Sequence, residues 1–186
     1  RARIIEEVDY LYEAEAQSAC YDAYENDPDI AIPRVVTATT KVLVSQWIDG
    51  KPLADVIKSG TQKERNAAGM HIARFHFTCP DRAGLLHADP HPGNFRLLVD
   101  GRIGVLDFGA CNRLPDGFPE PFKNLLKHAL DDNAQALYDG FKKDGFILPE
   151  VDVDPNLVLE YLVPLVEPLR TPTFKYSRDW LRDQSA

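Results

Sequence analysis

The chain has 186 residues, of which 44% are hydrophobic and 27% are charged, and its formal net charge at pH 7 is −8. This composition is typical of a folded globular domain, and an acidic chain without a Lys/Arg cluster argues against nucleic acid or an anionic membrane surface as a partner. The sequence starts at Arg1 and has no apolar run near the ~18 residues of a membrane span. We expect a piece of a longer protein, whose membrane association would come only from other segments.

Three cysteines, Cys20, Cys79 and Cys111, lack metal-binding spacing, and an odd number cannot all pair with one another. They indicate a reducing compartment, and we expect a cytoplasmic protein. Cys111 follows a DFG sequence closely, where a buried, inert thiol is a simpler interpretation than a reactive one.

A first helix is predicted from residue 3 to about residue 25, because apolar residues recur at helical spacing from Ile4 onward. Glu6, Asp9 and Glu13 fall on one face, where like charges destabilise a helix by a few tenths of a kcal/mol. A cationic partner elsewhere would explain this face, and so would simple solvation.

Two strands follow, from Val35 to Thr39 and from Val42 to Trp47, with a tight turn at Thr40-Lys41. A two-stranded hairpin is marginal by itself and exposes an edge that another strand can pair with. We therefore expect the isolated chain to associate, as a homodimer, through residues 1 to 47.

A second long helix is predicted from Thr61 to about Phe77, with Ala68 and Phe75 on the inward face. His71 and His76 lie on this helix, and we expect both of them to be structural. The helix leads the chain to the polar stretch that follows.

The most informative stretch begins at His87 and reads HADPHPGN, then FRLLVDGRIGVL, then DFG. Asp89 and His91 each precede a proline, and a residue before proline is restricted to extended backbone. The sequence therefore predicts a stiff loop, which suits side chains that must be aimed.

A hairpin is predicted directly after this loop. Its strands run from Phe95 to Leu98 and from Ile103 to Leu106, and they are joined through Asp100-Gly101, a strong hairpin signal. The returning strand would bring Asp107 back beside Asn94.

These polar residues match the needs of phosphoryl transfer, in which an enzyme positions the acceptor and holds Mg²⁺ against the phosphates. A loop Asp, an Asn five residues later and an Asp in DFG form the arrangement of protein kinases. Here Asp89 would orient the acceptor hydroxyl, while Asn94 and Asp107 would bind the metal.

Two other interpretations stay open. His87, Asp89 and His91 alternate along the chain, and imidazole with carboxylate is a good ligand set for zinc, although a zinc site leaves Asn94 and Asp107 unexplained. A polar loop followed by an ordinary turn would also produce such residues.

The run HADPHPGN followed by LDFG resembles the catalytic and metal-binding segments of the UbiB family, atypical kinase-like proteins also called AarF-domain-containing kinases. Aminoglycoside and choline kinases have a related HxDxHxxN loop. Ordinary protein kinases have HRD and a lysine two residues after the aspartate, where this chain has His91. The Ala-Asp-Pro-His-Pro run favours UbiB.

The resemblance implies further site residues. EVDYLYEA near the start resembles the ExD motif and the following helix, so Glu13 would be the catalytic glutamate that pairs with an N-lobe lysine. The 186 residues contain no lysine before Glu13, no alanine-rich nucleotide loop and no KxGQ segment, so we expect this chain alone to be inactive. The resemblance assigns nucleotide binding to Glu7, Asp9, Gln46, Trp47, Ile48 and His91.

Beyond Leu114 the sequence predicts helices from Phe118 to about Leu130, from Ala134 to Phe141 and from Pro155 to Leu169. An APE signature, which protein kinases carry after DFG, is absent. A small-molecule or lipid-related acceptor, or an ATPase, therefore fits better than a protein substrate.

The resemblance implies a protein-kinase-like α+β fold. Residues 1–48 would form a partial N-lobe, with an αC-like helix and a two-stranded hairpin, and residues 49–186 a mostly helical C-lobe with the catalytic loop and DFG. It also implies binding of ATP with Mg²⁺ and, in the longer protein, a kinase or ATPase activity that supports isoprenoid-quinone biosynthesis at a membrane surface. A nucleotide-binding scaffold without chemistry and a small-molecule phosphotransferase stay open as alternatives.

Overall fold

A computed structural model describes residues 9–184 of the chain. The chain divides into two compact units, one ending at Gly117 and the other beginning at Phe118. The lobe boundary expected between residues 48 and 49 falls inside the first unit. The expected boundary separates kinase-like lobes and not compact units, so it stays a prediction.

The first unit combines helices with short strands. Its helices are α1 (Tyr10–Tyr24), α2 (Leu53–Ser59) and α3 (Gln62–Ala83). Its strands are β1 (Ile30–Ala31), β2 (Val35–Ala38), β3 (Leu43–Ser45), β4 (Lys51–Pro52), β5 (Leu85–His87), β6 (Phe95–Leu97), β7 (Ile103–Val105) and β8 (Cys111–Arg113).

Three small sheets position the loops of this unit. One has the order β1-β7-β6-β4, with β1 parallel to β7, and the others pair β2 with β3 and β5 with β8 in antiparallel fashion. The hairpin predicted after the HADPHPGN loop is confirmed as β6 and β7, with Gly101 at a φ of 92° in its turn. The predicted hairpin of β2 and β3 is confirmed as well.

Helix α3 begins with a capping box between Thr61 and Glu64 and ends at Gly84, whose φ is 65°. The predicted end near Phe77 is wrong, because the helix continues through Pro80. Proline removes one helical hydrogen bond, but Pro80 and its neighbour Cys79 are both buried. The burial of this last turn therefore stabilises the helix more than Pro80 destabilises it.

The core of the first unit lies where α1 and α3 meet the strands. Its largest fully buried side chains are Tyr24, Ile30, Phe75, Phe95, Ile103 and Phe108. The three cysteines are unpaired and buried, and the Sγ atoms of Cys20 and Cys79 lie 3.6 Å apart.

The second unit consists of helices. They are α4 (Glu120–Leu130), α5 (Ala134–Lys143), α6 (Pro155–Val166) and α7 (Arg178–Asp183), with a 3₁₀ turn at Glu167–Leu169 after α6. The three predicted helices are confirmed, and the last tightens into the 3₁₀ turn around Pro168. Within residues 9–184, each helix is too short or too polar to cross a lipid bilayer.

Candidate active site

The loop after β5 fixes the carboxylate of Asp89. The Nδ2 of Asn94 donates to Asp89 Oδ2 at 2.8 Å and to the Asp89 backbone oxygen at 3.2 Å. The backbone N–H of His91 donates to Asp89 Oδ1 at 3.2 Å. The structure therefore brings the predicted base and the predicted metal-binding amide together.

His91 supports the short 3₁₀ turn Pro92–Asn94. Its Nδ1 accepts a hydrogen bond from the backbone N–H of Gly93 at 3.1 Å. A Cβ at position 93 would lie 2.9 Å from that nitrogen, so glycine is needed for the ring to lie there. The ring is at the surface, and its predicted role in nucleotide binding stays a prediction.

The hairpin brings the DFG turn beside the same loop. The backbone N–H of Leu106 donates to the carbonyl of Asn94 at 2.9 Å, and Asp107 is the next residue. The carboxylate of Asp107 is exposed and accepts from the N–H of Gly109 at 3.0 Å. The backbone thus returns Asp107 to the vicinity of Asn94, as predicted.

His87 lies buried beneath this turn, with 3% of its surface exposed, and its side chain stabilises the turn. Its Nε2 donates to the backbone oxygen of Asp107 at 2.7 Å, and burial lowers its pKa, which favours the neutral ring. Its ring contacts those of Phe75, Phe95 and Phe108.

A zinc site at His87, Asp89 and His91 does not fit this geometry. The Nε2 of His87 is already bound to a carbonyl inside the core, whereas His91 caps a surface turn. Across the part of the chain that the structure describes, no three His, Cys, Asp or Glu side chains are grouped to hold a metal ion. The alternating pattern suggested His87 as a ligand, whereas it is a structural residue. Its position at the end of the apolar strand β5 is the one sequence signal for burial.

Glu13 reaches the DFG turn from α1. Its Oε1 lies 3.5 Å from the backbone nitrogen of Phe108. The neighbouring Tyr12 donates its hydroxyl hydrogen to the Cys111 backbone oxygen at 2.7 Å, and this bond joins α1 to the segment after DFG. Burial, and then the nearby charge of Asp107, raise the pKa of Glu13. Within residues 9–184, Glu13 forms no ion pair with a basic side chain.

Of the two predicted ExD acids, Asp9 is a helix cap in the described structure. Asp9 is the N-cap of α1, where its Oδ1 accepts from the backbone N–H groups of Leu11 and Tyr12 at 3.1 and 3.2 Å. Glu7 lies outside the described residues. Nucleotide binding by either acid stays a prediction.

The predicted hinge residues lie in a different part of the first unit. Gln46, Trp47 and Ile48 line a cavity of about 580 Å³, together with the turn of the β6–β7 hairpin and the end of α1. Asp89, Asn94 and Asp107 are not among the residues that line it. The N–H of Gln46 already donates to the Arg34 backbone at 2.8 Å.

The donor set at the loop suits Mg²⁺. Asn94 offers an amide oxygen, because its Nδ2 is turned towards Asp89, and Asp107 offers an exposed carboxylate. Carboxylate and amide oxygens are the hard ligands that Mg²⁺ takes from proteins. These two residues, which the sequence singled out, could therefore hold the ion.

Comparison with known proteins identifies a family whose sequence profile matches most of the chain. Residues 1–140 match the sequence profile of the ABC1 atypical kinase-like domain. A solved structure described as the complex of Rv3197 and erythromycin from Mycobacterium tuberculosis is similar over 97% of this chain and 46% of that one, with 38% identity and a TM-score of 0.89.

Two curated proteins extend the comparison. The chain is 32% identical to the uncharacterized protein slr1919 of Synechocystis, over 82% of its own length and 28% of that protein. It is 28% identical to an uncharacterized, chloroplastic aarF domain-containing protein kinase of Arabidopsis thaliana, over 80% of its length and 21% of that protein. The chain thus spans about a quarter of the length of the curated relatives it matches.

Proposed function

Because the chain belongs to the ABC1 atypical kinase-like domain family, we propose that it binds ATP with Mg²⁺ and serves a longer protein as a kinase or ATPase domain. Membership confirms the predicted relation to AarF-domain-containing kinases. The kinase-like fold of mixed helices and strands is confirmed with it.

One observation carries the proposal. The Asp89 carboxylate is held by Asn94 at 2.8 Å, and the same Asn94 is bonded through its backbone to Leu106, next to Asp107. Asp89 would orient the acceptor hydroxyl or water and accept its proton, and Asn94 and Asp107 would hold the ion. The ion, when bound, would neutralise charge on the phosphates.

Replacing Asp89 by Asn tests the catalytic role. We expect ATP turnover by the full-length protein to fall by at least about 100-fold, since the amide cannot accept the proton. Nucleotide affinity should change little. Asp22→Asn, an exposed change on α1, is the control. Equal turnover above background in both variants would refute the assignment.

Replacing Asp107 by Asn tests the metal site. We expect affinity for nucleotide in the presence of Mg²⁺ to fall at least about tenfold, because the amide supplies an oxygen without charge. Affinity measured with a chelator present should hardly change. Equal losses in the two conditions would make Asp107 a structural residue.

A nucleotide-binding scaffold without chemistry is the second candidate. It differs from the first candidate in whether the longer protein supplies a lysine to pair with Glu13, which has no basic partner within residues 9–184. For the same reason we expect this stretch alone not to transfer phosphoryl groups. ATP binding by the full-length wild type with turnover at background would favour the scaffold.

For the longer protein, we extend the proposal to a lipid or small-molecule acceptor in isoprenoid-quinone biosynthesis, on the cytoplasmic side of a membrane surface. The support is the family relation. Quinone content in a deletion strain tests it, because the wild type should restore quinone and Asp89→Asn should not. Equal quinone content in deletion and parent strains would contradict it.

We also propose that the β2–β3 hairpin pairs with a second copy when this chain is isolated. These strands form a two-stranded sheet, and Val36, Val42 and Val44 are 60%, 52% and 42% exposed. Sedimentation should show a dimer that Val44→Lys disrupts. A wild-type monomer at high concentration would contradict this.

A further inference from the structure

Two histidines, the buried His87 and the half-buried His76, lie side by side beneath the DFG turn. His76 belongs to α3 and His87 to β5, and their ring centroids are 5.5 Å apart at an angle of 84°. Both rings also contact Phe75 and Phe95. The pair connects the long helix of the first unit to the turn that carries Asp107.

Their hydrogen bonds fix which nitrogen of each ring must carry a proton. A carbonyl oxygen only accepts, so His76 Nδ1 must donate to Ile72 at 2.8 Å, and His87 Nε2 must donate to Asp107 at 2.7 Å. A neutral imidazole has a single N–H. Where a ring carries that single N–H, its other nitrogen is a bare acceptor.

These two acceptors, His76 Nε2 and His87 Nδ1, are buried and have no partner within the described residues. Buried polar atoms are nearly always hydrogen-bonded, and an unmet acceptor costs stability. Neither nitrogen can donate to the other in these tautomers, so the missing donor must come from a third group.

We propose that one buried water donates a hydrogen bond to each ring, and that His76 thereby acts as a positioning residue for His87 and the Asp107 backbone. A water has two hydrogens, which matches two bare acceptors on rings whose centroids lie 5.5 Å apart. The phenylalanines hold the His87 ring by packing, and a hydrogen bond on Nδ1 would add to the Asp107 carbonyl in keeping the proton on Nε2.

The effect on ligand binding rests on the proposed function, because it assumes that Asp107 helps to hold Mg²⁺ with the nucleotide. Without the bridge, the His87 ring has one polar anchor instead of two. The Asp107 carbonyl and its carboxylate would then be less well fixed before the ligand arrives.

Nitrogen-15 NMR of the histidine rings tests the bridge directly. In the wild type we expect His76 as the Nδ1–H tautomer, His87 as the Nε2–H tautomer, and both bare nitrogens at shifts typical of hydrogen-bonded acceptors. Shifts typical of free acceptors at both nitrogens would overturn the proposal, whatever the protein binds.

A matched pair of variants tests the positioning role. His76→Asn keeps a donor near the position of Nδ1 but offers nothing at Nε2, whereas His76→Gln places a polar atom near Nε2. We expect Asn to weaken binding of ATP with Mg²⁺ about fivefold, the usual worth of one hydrogen bond, and to move the His87 Nδ1 shift. Gln should stay within about twofold of the wild type.

Equal losses for the two variants, with an unmoved His87 shift, would overturn the positioning role and leave His76 as a packing residue. Absence of nucleotide binding in the wild type would refute the proposed function instead. The ring shifts would still decide the bridge in that case.

Discussion

The two compact units differ in what they bury. The buried polar or charged residues within residues 9–184 are Gln17, Asp27 and His87, and all three lie in the first unit. The buried cluster of the second unit consists of leucine, alanine and valine side chains. The unit that carries the candidate site thus fixes its loops with buried hydrogen bonds, whereas the other relies on apolar helix packing.

Asp27 shows how the first unit does this. Its side chain is 2% exposed and accepts from Arg74, from Arg82 and from the backbone N–H groups of Asp29 and Ile30. These contacts tie the turn after α1 to the long helix α3. Strand β1, which follows that turn, is thereby placed beside β7, the strand that ends at the DFG sequence.

The largest effect expected from this difference is that of Asp27→Asn. The amide leaves two arginines facing a neutral group in a buried position, so we expect the free energy of unfolding to fall by about 3 kcal/mol. The control is Asp132→Asn in the second unit, whose partner is Arg170 but whose side chain is 61% exposed. Urea denaturation should give a far smaller loss for Asp132→Asn. Equal losses for the two variants would contradict the idea that the first unit depends more on buried polar contacts.

A second prediction concerns acid. Burial alone would raise the pKa of Asp27, but hydrogen bonds from Arg74 and Arg82 outweigh it and lower the pKa from 3.8 to about 2. A lowered pKa means that the stabilisation is present above the unfolded-state value and is lost as pH falls from about 4 towards 2.

The loss should total about 2.5 kcal/mol once the pH is well below the folded-state pKa of about 2, and it should be absent from Asp27→Asn. Denaturation of both proteins at a series of pH values measures the difference, so that contributions from other carboxylates cancel. Parallel stability curves for the two proteins would show that Asp27 is not held by its arginines.

Much of the fold could be predicted where a few neighbouring residues determine the conformation. Asp100-Gly101 specifies a turn by its own backbone preferences, and helical periodicity identified most of the helices. Strand β1, the pairing of β5 with β8 and the passage of α3 through Pro80 were not predicted. Each of these depends on partners distant in sequence, which local signals do not reveal.

The candidate site follows the same rule. The spacing of Asp89, Asn94 and Asp107 identified residues that a stiff loop and a hairpin bring together. The role of His87 was not predicted, because its partner is a backbone carbonyl 20 residues away. The cluster around Asp27 was also missed, since nothing in the local sequence indicates which arginines will reach it.

The smallest expected effect is a gain in stability, whereas Asp27→Asn should cause a loss. At neutral pH the half-buried carboxylate of Glu13 faces that of Asp107, and burial followed by this repulsion raises its pKa. A raised pKa means that stability is highest below the unfolded-state value of 4.5 and declines as pH rises through the folded-state pKa. Ionised Glu13 is therefore a cost that the first unit carries at its candidate site.

Glu13→Gln should remove that cost while keeping the size of the side chain. We expect the free energy of unfolding at pH 7 to rise, by less than about 1 kcal/mol, and the gain to vanish at pH 4. ATP turnover of the full-length protein should fall in the same variant, because the amide cannot form an ion pair with a catalytic lysine. Glu160→Gln, an exposed change on α6, should alter neither quantity. Lower stability in Glu13→Gln would mean that the contact of Glu13 with the Phe108 backbone outweighs its repulsion by Asp107.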